Sequence, residues 1–143
     1  MKQYRELTAL QKKSLLRFPA YMSLLGASDG KIDQEERRVA VKLAHTKAFA
    51  CHSLLAEFCK ESGEVFEANL VQLEALLPVD KQNRDEVIRK EIVKIEAILR
   101  KLEPEYAEVL RLSMKTFKDH VARAHHSVIE DFLLPIAIPG LTD

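Results

Sequence analysis

Apolar residues recur at spacings of three and four along nearly the whole chain, the period of helices that turn one face inward. Leu7, Leu10, Leu15 and Phe18 mark a first helix, and Pro19 sets a break or a fresh start, because proline fits a helix's first turn but not its interior. A short second helix carries Tyr21, Met22, Leu24 and Leu25, stopped by Gly26 and the Ser28-Asp29-Gly30 turn. Asp33 and Glu36 have the spacing of a capping box, in which each side chain satisfies a free amide at a helix start. A helix is therefore expected from about Gln34 to Ala50, with Val39, Ala40, Leu43 and Ala44 inward. Leu54, Leu55 and Phe58 continue the pattern after a bend near Cys51, and Glu61-Ser62-Gly63 is expected to end it.

Phe66, Leu70, Leu73 and Leu77 predict a further amphipathic helix closed by Pro78. Ile88, Ile92, Ile95, Leu99 and Leu102 make a heptad-like stripe, with Glu86–Lys90 and Glu96–Arg100 as favourable pairs on its wet side, and Glu103-Pro104 breaks it. Tyr106, Leu110, Met114, Phe117, Val121 and Ala124 predict a long helix returning antiparallel to that stripe, since the connection is short. Ser127 and Glu130 repeat the capping-box spacing before Val128, Ile129, Phe132 and Leu133, predicting one more helix start. No run alternates with period two. The expectation is one all-α domain over residues 1–143, a compact bundle of about six to seven helices with no sheet.

Composition agrees with a globular chain: 47 % of residues are hydrophobic and 31 % charged, with four Gly and five Pro. A chain of 143 residues buries close to ~70 % of its unfolded surface and needs no disulfide or metal to fold. Lys and Arg total 22 against 22 Asp and Glu, so no net field draws the chain to nucleic acid or an anionic membrane. The apolar run from Phe132 to Pro139 is too short to cross a bilayer, and Met1 to Glu6 leads into no signal-peptide core. The apolar tail from Phe132 to Leu141 is expected to dock on the core, or else to meet a second copy or a protein partner. On a continuous helix Cys51 and Cys59 would be separated by a rise of about 12 Å, beyond the reach of a disulfide, so reduced thiols and a cytoplasmic location are expected.

The segment Ser28-Asp29-Gly30-Lys31-Ile32-Asp33-Gln34-Glu35-Glu36 carries the most chemistry. Asp29, Asp33 and Glu36 put three carboxylates around a turn and a helix start, the oxygen donors that hard divalent cations take. Laid on the twelve-residue calcium loop, Asp29, Gly30, Asp33 and Glu36 fall at its fifth, sixth, ninth and twelfth positions. Leu25 and Ala27 occupy its first and third, which excludes a free-standing EF-hand. Without any ion, the same residues make a turn and a cap worth about 1 kcal/mol.

The run from Leu24 to Glu36, set between a short helix and a longer one, resembles the signature of the TerB-like domains, a family named for bacterial tellurite resistance. The resemblance implies a compact helical domain of two related halves, associated with stress and metal resistance and binding divalent metal through acidic residues. It makes Asp29, Asp33 and Glu36 the metal-ligand candidates, for an ion of calcium or magnesium type. Aligning Ser127 and Glu130 on Asp33 and Glu36 places Arg123 and Ala124 at Asp29 and Gly30, so a symmetric second site is not expected, although Glu130 and Asp131 could approach the first.

Other groups point to chemistry less directly. His45, His52 and Cys59 are spaced seven and seven, which on a straight helix leaves them about 10 Å apart, too far for one zinc ion. His120, His125 and His126 read as a solvated helix end, where imidazolium complements the dipole. No nucleophile motif or glycine-rich phosphate loop is present, so no catalytic residue is assigned. The expected function is a noncatalytic TerB-like module, binding a divalent cation or a partner in stress response. Its alternatives are a structural scaffold without metal, presenting a groove around Ile88 to Ala124, and more remotely a small hydrolase using His45 or His120 with an acidic group.

Overall fold

The computed structural model describes residues 1–26, 37–38, 40–42, 44 and 51–133, with side chains as far as residue 123. Among them are five α-helices: α1 (Ala9–Leu16), α2 (Phe18–Gly26), α3 (Ala56–Leu76), α4 (Lys81–Leu99) and α5 (Pro104–Leu133). Single 3-10 turns at Tyr4–Glu6 and Ser53–Leu55 precede α1 and α3, and residues 37, 38, 40–42 and 44 are also helical. No strand occurs among the described residues beyond an isolated bridge between Lys2 and Leu102.

Local chemistry sets the helix starts. Thr8 caps α1 reciprocally: its hydroxyl accepts from the Gln11 amide at 3.1 Å, while Gln11 accepts from the Thr8 amide at 2.9 Å. That start leaves Leu7 buried just outside the helix and Leu15 fully buried within it. Leu10, read as inward, lies about 140° around the helix from Leu15 and is instead 76 % exposed. Pro19 is the second residue of α2, where a missing amide costs nothing, so the predicted break falls where proline put it. Asp80 accepts from the Asn83 amide at 3.1 Å to start α4, and Pro104 opens α5.

Two predicted boundaries are absent, and their loss lowers the number of helices. Glu61-Ser62-Gly63 does not stop α3, because Phe58, Ser62, Phe66, Leu70 and Leu73 form one continuous buried stripe across it. The Ser62 hydroxyl donates to the Cys59 carbonyl at 3.3 Å and needs no turn to satisfy it. Ser127 starts no new helix either, since α5 runs on to Leu133 through a stretch without Gly or Pro.

α2 lies at the centre. Its residues Phe18 to Leu24 are all buried, and it packs on α1, α3, α4 and, most extensively, α5. Asn69 of α3 donates to the Leu16 carbonyl at 3.3 Å, holding the end of α1 beside it. The stripe Ile88, Ile95, Leu99 and Leu102 is buried as predicted, as are Leu110, Met114, Phe117 and Val121 on α5. Yet α4 and α5 each pack more extensively on α2 than on one another, and Glu96 pairs with Arg111 across the gap, at 3.0 Å, rather than with Arg100.

Cys51 and Cys59 are joined in a disulfide, which corrects the expectation of reduced thiols. The expectation depended on a continuous helix. Here the His52 imidazole accepts from the Leu54 amide, residues 53–55 form a 3-10 turn, and α3 starts only at Ala56, so the two Cα atoms stand 6.5 Å apart.

Gly26, the last residue of α2, meets α5 so closely that a Cβ there would lie 2.9 Å from the Lys118 carbonyl oxygen. Helix propensity alone would make Gly26→Ala stabilising by about 1 kcal/mol, but overpacking against backbone costs about 1–3 kcal/mol. Urea unfolding of Gly26→Ala is therefore expected to show a net loss of up to about 2 kcal/mol, and a gain would contradict this close approach.

Candidate functional site

Asp29, Asp33 and Glu36 lie outside the described residues, but the frame around them is described. α2 ends at Gly26 against α5, and the chain is helical again at Arg37, whose guanidinium forms a partly buried ion pair with Glu74 of α3. The acidic segment thus joins two helical stretches, one held on α5 and the other on α3. Leu25, the first position of the calcium-loop alignment, is helical and belongs to α2.

The histidine candidates are not brought together among the described residues. His52 caps the turn before α3, with its Nδ1 accepting from the Leu54 amide at 3.0 Å, and His120 is exposed on α5. The Cys59 sulfur is bonded to Cys51, which removes it from any zinc set with His45 and His52. His45 lies outside the described residues, as do the side chains of His125, His126, Glu130 and Asp131. No group of three or more His, Cys, Asp or Glu side chains among the described residues is placed to hold a metal ion. No helix among them is long and apolar enough to cross a membrane.

A cleft of about 410 Å³ opens where the N-terminus meets the α4–α5 connection. The Lys2 amide donates to the Lys101 carbonyl at 2.8 Å and the Glu103 amide donates to the Lys2 carbonyl at 3.2 Å, clamping the first residues in place. Gln3 and Glu6 then cap the Tyr4–Glu6 turn, which turns Tyr4 inward. The Tyr4 ring stacks on Tyr106 with centroids 6.4 Å apart and meets Phe58 edge-on at 6.0 Å, while the Lys12 ammonium sits 5.3 Å from its centroid. Lys2 and Arg5 line the cleft with Glu57, Glu103 and Glu105, two cations against three carboxylates, so its lining is slightly acidic.

The Tyr4 hydroxyl donates to the Glu61 carboxylate, and the Tyr106 hydroxyl is buried without a hydrogen-bond partner among the described residues. Burial, that hydrogen bond and the Glu61 charge push Tyr4 far above the ordinary phenol value of 10.0. Burial and the charges of Glu57 and Glu61 push Tyr106 up as well. Both phenols therefore stay protonated near neutral pH and are available as hydrogen-bond donors rather than as bases. Sequence spacing had marked Tyr106 only as a helix position and the N-terminus only as polar; no local signal links residues a hundred positions apart.

In comparisons with known proteins, no family model, no curated protein and no solved structure matches the chain.

Tyr21 is also raised, chiefly by burial and then by the charge of Glu91, so all three tyrosines favour the protonated form when folded. A raised folded value gives stability that is fully present below the unfolded value of 10.0 and is lost as pH rises past it. Base titration is expected to show phenolate absorbance only as the protein unfolds. A native titration with its midpoint near the ordinary 10.0 would contradict this packing.

Proposed function

We propose that the chain is a noncatalytic, TerB-like helical interaction domain of the stress and metal-resistance class, which takes up a divalent cation through Asp29, Asp33 and Glu36. The observation that carries the reading is the frame of the acidic segment: α2 ends at Gly26 and helix is present again at Arg37, with the two flanks held on α5 and α3. An ion bound there would act by ordering the connection between the two helical stretches. Three carboxylates suit a hard cation of calcium or magnesium type, and because Leu25 is helical, the remaining ligands would be waters or oxygens from outside the loop.

Exposed apolar side chains favour a second reading, a metal-free scaffold: Val93 on α4 is 65 % exposed and Leu112 on α5 is 66 % exposed, both within the stretch read as a partner groove. Thermal unfolding with calcium, magnesium or manganese against chelator separates the two. The metal reading expects a rise in Tm, corresponding to about 2.7 kcal/mol at a hundred times Kd, that disappears in Asp29→Ala. No shift in the wild type, or an equal shift in Asp29→Ala, removes the metal and leaves the scaffold.

A further inference from the structure

The first turn of α3 is held in an unusual way. Leu55 stands at its N-cap position and offers no side-chain hydrogen bond; the preceding Ser53–Leu55 turn supplies a backbone acceptor instead, the Ala56 amide donating to the Ser53 carbonyl. A covalent brace is added to the first turn of α3: Cys59, within it, is bonded back to Cys51, just ahead of the Ser53–Leu55 turn. The loop closed by this bond carries Leu54 and Glu57, both of which line the cleft of Tyr4 and Tyr106.

We propose that Cys51–Cys59 is a redox-sensitive clasp on the wall of that cleft. As a disulfide it fixes the start of α3, which has no side-chain cap at Leu55, and with it the positions of Leu54 and Glu57; as a dithiol it lets this wall fray while the bundle stays folded. Cys51 is the half-buried partner and Cys59 the buried one, at 5 % exposure, so a small thiol reaches the Cys51 sulfur first. The incoming thiolate bonds to Cys51, the S–S bond breaks, and the Cys59 sulfur leaves with the electron pair and takes up a proton. A second thiol then displaces Cys51, giving two cysteine thiols and one small-molecule disulfide. The reverse exchange, with a glutathione-type disulfide as oxidant, restores the bridge.

Two features keep the event local. The bond spans a sequence separation of only eight residues and ties no distant elements together. The released Cys59 thiol remains beside an apolar cavity of about 20 Å³ lined by Ala44, Phe58, Phe66 and Phe117, where it behaves as a small hydrophobic side chain.

The test equilibrates the full chain in reduced and oxidised glutathione mixtures, counts free thiols by alkylation and intact mass, and follows amide hydrogen exchange in both forms. The clasp predicts reversible interconversion, with amides 54–59 exchanging about tenfold faster or more in the dithiol while those of Phe66–Leu73 and Leu110–Phe117 stay protected. Cys51→Ser should exchange like the dithiol and ignore the glutathione ratio. The proposal is overturned if no bridge forms under oxidised glutathione, if reduction unfolds the whole chain, or if amides 54–59 exchange equally in both forms.

Discussion

One helix with no polar face constrains everything else. Phe18, Pro19, Ala20, Tyr21, Met22, Ser23 and Leu24 are consecutive and buried, so α2 offers solvent no side and has to be enclosed. A helix of this kind is stable only when neighbours cover its whole circumference, and here α1, α3, α4 and α5 do so. α4 and α5 each pack more extensively on α2 than on one another, so their contacts with α2 rather than with each other organise this half. The burial of α2 also demands a small residue where its end meets the α5 backbone at Lys118, which Gly26 supplies.

The periodic part of this arrangement was legible without coordinates. The stripes from Phe66 to Leu73, from Ile88 to Leu102 and from Leu110 to Val121 are buried because three- and four-residue spacing leaves them one common face. Pro19, Pro78 and Pro104 stand at or beside helix ends because the ring excludes a helix interior whatever surrounds it. Weaker local signals yielded to packing. A cost of about 1 kcal/mol for Gly63 inside α3 is small against the joint burial of Phe58 and Phe66 on either side of it. The capping spacing of Ser127 and Glu130 likewise could not end a helix that met no breaker.

Long-range chemistry was not legible. Tyr4 and Tyr106 meet because the chain's first residues are clamped to the α4–α5 connection, a contact that no periodicity encodes. Cys51 and Cys59 meet because His52 turns the chain just before α3, whereas uninterrupted helical spacing would have kept them apart. The acidic segment was read from composition and spacing, and its carboxylates lie outside the described residues; the structure supplies the two helical flanks between which they are strung. The flank that precedes that segment follows from α2 too, since the helix that cannot leave the core ends at Gly26 against α5.

Native-state hydrogen exchange of the α2 amides tests this account most directly. A helix enclosed on all sides can open only when the helices around it separate, so the amides of Tyr21 to Leu25 should exchange with the free energy of global unfolding measured in denaturant. Exchange of these amides at a free energy well below the global value, with α5 still protected, would show that α2 opens alone and is not what the bundle is built around.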